Sequence, residues 1–158
     1  MGCFLLGKEM NGFIYLLLSS AFASPMKHEF RGFEFGSSCT LHEDFDGWSF
    51  QRKAKSNVIV YKRQDDTLTI GDVALRSIEY YCWRDQLLTV DIQFASTDSE
   101  TKRVLSYLRE QWGSPGVILP KWWEFRGVKT FAELQQGRLS ITSQKIHKMK
   151  NSLPDGGI

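Results

Sequence analysis

Alternation of apolar and polar residues is the most regular pattern in the chain, and it is clearest from Leu87 to Phe94. One face of this segment carries Leu88, Val90, Ile92 and Phe94. The other face carries Leu87, Thr89, Asp91 and Gln93. A period of two is typical of a strand with one buried face. Similar or β-branched runs predict further strands near residues 30–36, 58–63, 68–70, 73–83, 121–126, 128–135 and 138–143.

Helical periodicity is convincing in one segment, Asp98 to Trp112. Thr97 and Glu100 form a capping box at its start, and Gly113 ends it. Its apolar stripe comprises Val104, Leu105, Leu108 and Trp112. Because short turns join neighbouring strands, we predict an α+β fold: a mainly antiparallel sheet of about six or more strands with one principal helix packed on a face. The helix is expected to contact Val90, Ile92 and Phe94.

The first 23 residues have the composition of an export signal. An apolar run of ten residues, Phe13 to Phe22, is too short to cross a hydrocarbon core of about 30 Å. Ala21-Phe22-Ala23 then supplies the small residues that signal peptidase accepts. We predict cleavage after Ala23 and export to the periplasm or the exterior. The alternative is that the run forms a buried strand or helix of a cytosolic domain.

Cleavage would remove the first 23 of the 158 residues and leave 135, the usual size of one domain. We predict a single domain over residues 24–150, a disordered tail over 151–158 and no stable membrane span after cleavage. The formal charge is +2, far below the basic excess that sequence-independent nucleic-acid binding needs. Nucleic acid is therefore not expected as a partner. A basic run near the end is expected to be a solvated helix or tail; it comprises Lys145, His147, Lys148 and Lys150.

Two cysteines remain after the predicted cleavage, Cys39 and Cys82. An even number of cysteines in an oxidising compartment predicts a disulfide. On the loop-entropy model, such a cross-link would stabilise the fold by about 4 kcal/mol. The alternative is a pair of separate buried thiols.

Candidate catalytic groups are sparse. The densest cluster, which has groups for acid–base chemistry or for a hard cation, comprises His42, Glu43, Asp44 and Asp46. A solvated acidic loop is the simpler interpretation. Cys39 and His42 have the spacing of half a zinc site, but no second pair of ligands accompanies them. We predict no metal and no cofactor, although folding could assemble distant carboxylates such as Glu79, Asp91 and Glu124.

Aromatic residues give the stronger functional indication. Trp122 and Trp123 are adjacent in a predicted strand, so their side chains should point to opposite faces and one should lie outside the core. Exposed tryptophan or tyrosine beside arginine is typical of protein-binding hot spots. The candidate binding residues are Trp122, Trp123, Tyr81, Trp83, Arg84 and Arg126. The alternative is that both faces are covered and the aromatics are ordinary core residues.

Three phrases stand out in order along the chain: "FRGFEFGSS" at 30–38, "VYKRQDDTLTIGDVALRSIEYYCWRDQLLTVDIQF" at 60–94 and "LREQWGSP" at 108–115. Together they resemble a family of small exported bacterial proteins of unknown function. The resemblance implies export and a compact domain, and it brings no catalytic residues. We therefore predict an exported, non-enzymatic binding module that acts on a protein or an envelope component. The alternative is a small hydrolase-like enzyme that uses the cluster from His42 to Asp46.

Overall fold

The computed structural model describes residues 26–40, the backbone of residues 48–53, and residues 57–153. The predicted signal segment and the cluster from His42 to Asp46 lie outside the described residues. Within the described parts of the chain, no helix is both long enough and apolar enough to cross a membrane.

Strands dominate the described residues. The strands are β1 (Glu29–Phe30), β2 (Phe33–Glu34), β3 (Trp48–Lys53), β4 (Val58–Arg63), β5 (Thr69–Ile70), β6 (Val73–Trp83), β7 (Gln86–Phe94), β8 (Val117–Leu119), β9 (Trp122–Arg126), β10 (Thr130–Gln135) and β11 (Arg138–Ser143). The helices are α1 (Asp98–Trp112) and α2 (Gln144–Asn151). Eight strands form one antiparallel sheet in the order β3-β4-β6-β7-β11-β10-β9-β8, with β5 paired to β6 and with β1 and β2 as a separate hairpin. The predicted α+β fold is confirmed.

Helix α1 covers one face of the sheet, as its apolar stripe predicts. Thr97 caps its first turn by accepting a hydrogen bond from the backbone of Glu100, and Gly113 ends it with a φ of 81°. Leu108 is fully buried in the main core, whose other members include Val90, Ile92, Phe94, Val104, Phe125, Leu134 and Leu139. The half-buried ring of Trp112 packs edge-on against Phe125, with ring centroids 5.9 Å apart. We call this side of the sheet the α1 face.

The sequence pattern missed helix α2, which packs on the opposite face of the sheet. Ile146 is its one fully buried residue, and it belongs to a second apolar cluster with Val58, Trp83 and Leu88. A helix of eight residues with a single buried position has no recognisable apolar stripe, so its lysines indicated only a solvated segment. Asn151, predicted as the start of a disordered tail, is the last residue of α2, and Leu153 packs against the second cluster.

A β-bulge in β7 corrects the predicted alternation of that strand. Tyr81 pairs with Thr89 but Cys82 pairs with Leu87, so Leu88 is an extra residue in the ladder. Because a bulge shifts the register by one residue, Leu87 enters the main core and Leu88 enters the second cluster, the reverse of the prediction.

The predicted disulfide between Cys39 and Cys82 is present, with Cα atoms 6.4 Å apart. The backbone before Cys39 also pairs with the start of β7: the amide of Gly36 donates to the carbonyl of Leu87 at 2.9 Å, and the amide of Leu87 donates to the carbonyl of Ser37 at 2.9 Å. Covalent and hydrogen-bonded links thus hold this segment against the sheet.

The turn between β6 and β7 reinforces that attachment. Arg84 and Asp85 have φ values of 48° and 62°, as the two-residue turn of a type I′ hairpin requires. The carboxylate of Asp85 accepts hydrogen bonds from the hydroxyl of Ser38 at 2.5 Å and the amide of Thr40 at 2.7 Å. Partial burial alone would raise the pKa of Asp85, but these hydrogen bonds outweigh it and hold the pKa below its usual value.

Leu108→Ala tests the packing of α1. Because Leu108 is fully buried, the substitution should lower the free energy of unfolding by about 2 to 5 kcal/mol in urea denaturation. Lys102→Ala, on the exposed side of the same helix, is the matched control and should change stability by less than about 0.5 kcal/mol. Equal small losses for both variants would show that the stripe is not buried.

Candidate binding surface

The strand register sorts the predicted site residues between the two faces. On β9, Trp123 and Phe125 point to the α1 face, whereas Trp122, Glu124 and Arg126 point to the face that carries α2. We call the latter the α2 face. Phe131 of β10 also lies there, because its ring contacts the imidazole of His147 in α2 edge-on, with centroids 5.5 Å apart.

The three distant carboxylates named from the sequence lie in one row on the α2 face. Directly opposed pairs connect Glu79 with Asp91, Asp91 with Ser140, Ser140 with Glu133, and Glu133 with Glu124. The row therefore crosses five strands at right angles to their direction.

Each of these three carboxylates has a partner on a neighbouring residue. Asp91, which is almost fully buried, accepts from Nε of Arg138 at 2.6 Å and from the hydroxyl of Ser140 at 2.9 Å. The hydroxyl of Tyr81 donates to Glu79 at 3.0 Å, and Arg126 pairs with Glu124. No group of three or more histidine, cysteine or acidic side chains in the described residues is arranged to hold a metal ion. The three carboxylates are therefore engaged in ion pairs and hydrogen bonds within the sheet.

Trp83 does not form part of an exposed surface, contrary to the prediction. It is only 1 % exposed and lies in the second cluster beneath α2. The guanidinium of Arg84 stacks over its ring at 4.8 Å. Tyr81 packs against the same cluster and is half-buried. Helix α2, which the sequence pattern does not predict, covers Trp83 and removes it from the binding candidates.

Trp122 and Trp123 point to opposite faces, as the alternation predicts, and both are half-buried. Trp123 packs against the main core and lies opposite Ile118 on β8. Trp122 lies opposite Leu119. The strands are joined by Pro120 and Lys121, and Lys121 has a φ of 60°, which fits the proline-first type II turn.

The outer strand of this hairpin is an exposed apolar edge. In the sheet as described, β8 has one neighbouring strand, β9. Ile118 is 61 % exposed and Leu119 is 53 % exposed. We call β8 with the two adjacent tryptophans the β8 edge. Its aliphatic side chains on β8 and its tryptophans on β9 lie on both faces of the sheet, and the outer side of β8 faces no other described strand.

Two adjoining clefts lie at the opposite end of β9, beside α2. The larger has a volume of about 580 Å³ and the smaller about 290 Å³, and both are lined by Gln144 and Lys148. A third groove of about 380 Å³ separates the β1–β2 hairpin from α1, with Tyr107 and Trp112 in its wall. The predicted binding residue Arg126 lines the smaller cleft.

The nearly buried carboxylate of Asp66 connects three residues from different parts of the chain. It accepts hydrogen bonds from the hydroxyl of Tyr80 at 2.8 Å and from Arg31 at 3.2 Å, and it pairs with Arg63 at 3.8 Å. Burial and the hydrogen bond to Asp66 raise the pKa of the Tyr80 hydroxyl far above its usual value. A neutral tyrosine held by paired charges has a structural role. The sequence phrases that carry the family resemblance contain four residues of this region: Phe30, Arg31, Arg63 and Tyr80. A role in packing is enough to explain their presence in those phrases.

The fold and surfaces define an α+β domain with a disulfide-anchored N-terminal segment, an exposed apolar sheet edge and two clefts beside its second helix. Comparisons with protein-family models, with curated proteins and with solved structures each found no match to this chain. The family resemblance therefore stays a prediction, and function must be inferred from the residues themselves.

Tyr80→Phe tests the buried hydroxyl through pH. In the unfolded chain a tyrosine hydroxyl loses its proton at a pH of about 10, whereas folded Tyr80 keeps its proton. The free energy of unfolding of the wild-type protein should therefore fall as the pH rises above that value. Between pH 10 and 11 the wild type should lose about 1 kcal/mol more than Tyr80→Phe in urea denaturation. Tyr107→Phe, which removes a hydroxyl outside this network, is the control. The same pH dependence in both variants would contradict the assignment.

Proposed function

We propose that this protein is an exported, non-enzymatic binding module, and that the β8 edge contacts a protein component of the cell envelope. The observation that carries the proposal is the combination of an outermost strand, two strongly exposed aliphatic residues and two half-buried tryptophans in one hairpin. Exposed edges are normally shortened, charged or covered, because unpaired strands associate with other chains. Strand β8 is short, at three residues, but its exposed side chains are aliphatic and not charged. An edge that stays apolar is suited to binding.

An extended segment of the partner is the occupant that this edge fits. A strand added beside β8 would pair with its outward backbone groups, and alternate side chains of that strand would contact Ile118 on one face and Leu119 on the other. The partner segment should therefore carry apolar residues at consecutive positions, one for each face of the sheet. Trp122 and Trp123 would enlarge the contact on the two faces, in keeping with the enrichment of tryptophan at binding hot spots.

Two further observations bear on the proposal. The Cys39–Cys82 disulfide is compatible with an oxidising compartment, because such bonds persist outside the cytosol. Glu79, Asp91 and Glu124 are engaged by neighbouring side chains, which favours a structural role over catalysis for them. The alternative hydrolase depends on His42 to Asp46, which lie outside the described residues, and no described contact favours it.

A displayed library of random peptides, selected on the immobilised protein, tests the edge directly. Selection should enrich peptides with a short run of consecutive apolar residues, because both faces of the added strand meet apolar side chains. The double variant Ile118→Lys, Leu119→Lys should weaken their affinity by about tenfold or more, because charged edges oppose strand addition. Leu68→Lys is the control: Leu68 is similarly exposed, at 47 %, but lies away from the β8 edge, so its substitution should change the affinity less than about twofold.

Two outcomes would contradict this use of the edge. One is the absence of any enriched sequence. The other is equal binding of the enriched peptides to the wild type and to the double lysine variant, provided that circular dichroism shows both to be folded. Trp123→Ala should lower both the melting temperature and the affinity for the peptides, because Trp123 packs on the main core and belongs to the β8 edge.

Export has its own test. When the full chain is expressed in a Gram-negative bacterium, intact-mass analysis of the periplasmic fraction should find a chain that starts at Ser24. Ala23→Arg is the matched control, since signal peptidase requires a small residue there, and the uncleaved precursor should accumulate. A cytosolic product that still carries Met1 would show that the first 23 residues are not an export signal.

A further inference from the structure

The start of α2 is fixed to the turn between β9 and β10. The backbone amide of Gln144 donates to the carbonyl of Lys129 at 2.9 Å. The side-chain amide of Gln144 donates to the carbonyls of Gly127 at 2.7 Å and Thr130 at 3.1 Å. Ser143 caps the helix by accepting from the amide of Ile146 at 3.4 Å. These bonds set the basic residues of α2 at a defined position beside Arg126 and Lys129.

Cationic side chains from three elements line the two clefts in this region. Lys129 of the turn and Lys145 of α2 line the larger cleft, and Arg126 of β9 lines the smaller one with His147. Lys148 lines both. The basic run near the C-terminus is therefore one wall of a pair of clefts, whereas the sequence pattern indicated only a solvated helix or tail.

The positive charge of the clefts is only partly neutralised from within. Among the described residues, no carboxylate lies within ion-pair distance of Lys129, Lys145 or Lys148. Glu124 pairs with Arg126 inside the smaller cleft, and Glu34 of the larger cleft faces His28 at 3.7 Å. The described walls thus hold four arginine or lysine side chains, Arg126, Lys129, Lys145 and Lys148, against two carboxylates. This excess of positive charge in the cleft walls creates a local potential that attracts anions.

We propose that the adjoining clefts bind a ligand that carries more than one phosphate group. Lysine ammonium groups bind phosphate as point charges, and Lys148 is placed to be shared between groups in the two clefts. The phosphates belong either to a soluble polyphosphorylated molecule or to an array of lipid headgroups. Val128 lines the larger cleft and is 85 % exposed, so it would meet the membrane interface if the phosphates are lipid-borne. This site lies at the other end of β9 from the β8 edge and does not depend on it.

Titration of the purified protein with inorganic pyrophosphate, followed by calorimetry and by amide NMR, is the first arm of the test. Binding should saturate, with shifts at Lys129, Lys145 and Lys148. Lys148→Gln should weaken binding by about tenfold or more, because it removes a charge common to both clefts. Lys102→Gln removes the same charge from exposed α1 and should change the affinity less than about twofold. The double lysine variant of the β8 edge should bind as the wild type does.

Co-sedimentation with vesicles is the second arm. Vesicles of phosphatidylglycerol and phosphatidylcholine should retain the protein if the phosphates are lipid-borne, and pure phosphatidylcholine vesicles should not. Val128→Ser should then reduce vesicle binding and leave pyrophosphate binding unchanged. Saturable binding in either arm that Lys148→Gln weakens and Lys102→Gln spares supports the proposal and identifies the source. Absence of saturable binding in both arms, or equal losses for the two variants, overturns it.

Discussion

The buried carboxylate of Asp66 is the constraint on which the N-terminal half of the fold depends. A carboxylate withdrawn from water is costly unless hydrogen bonds and opposite charges compensate it. Its partners come from the β1–β2 turn, from the end of β4 and from the middle of β6, as Arg31, Arg63 and Tyr80. These partners meet only when the hairpin, the sheet and the loop after β4 are assembled together. The arginines also cover Phe30 and Phe33 with their guanidinium planes, so the same charges that satisfy Asp66 attach the hairpin to the core.

The order of apolar and polar residues predicted those elements that bury the same side along their whole length. Helix α1 buries one continuous stripe, and β10 alternates between buried and less buried side chains, so both could be recognised without knowing their neighbours. Two features depend on how one segment pairs with another, and they could not be recognised from local pattern. The bulge at Leu88 arises from the register of β6 on β7, which changes the face of a residue without changing the local alternation. Helix α2 has one buried residue, Ile146, and its position is set by hydrogen bonds to a turn 14 and more residues earlier in the chain.

The same distinction explains which surface residues were predicted. The opposite orientations of Trp122 and Trp123 follow from the period of a strand, which is a property of two consecutive residues. Trp83 has the same local pattern but is covered by a helix that the sequence did not reveal, so its burial could not be foreseen. The exposure of the β8 edge depends on the order of strands in the sheet. The sequence predicts the strands but not which of them lies at the edge. The basic clefts likewise require the turn containing Lys129 to meet α2.

The Cys39–Cys82 bond also determines how the molecule would respond to mechanical force. Tension applied at the two ends of the chain passes directly from Cys39 to Cys82 through the sulfur atoms and bypasses the 43-residue span between them. That span contains β3, β4, β5 and most of β6. At about 3.3 to 3.6 Å per extended residue, it would hold back roughly 140 to 155 Å of contour length until the bond is reduced. Single-molecule extension would therefore be shorter under oxidising conditions than under reducing ones, and the difference measures the part of the sheet enclosed by the covalent ring.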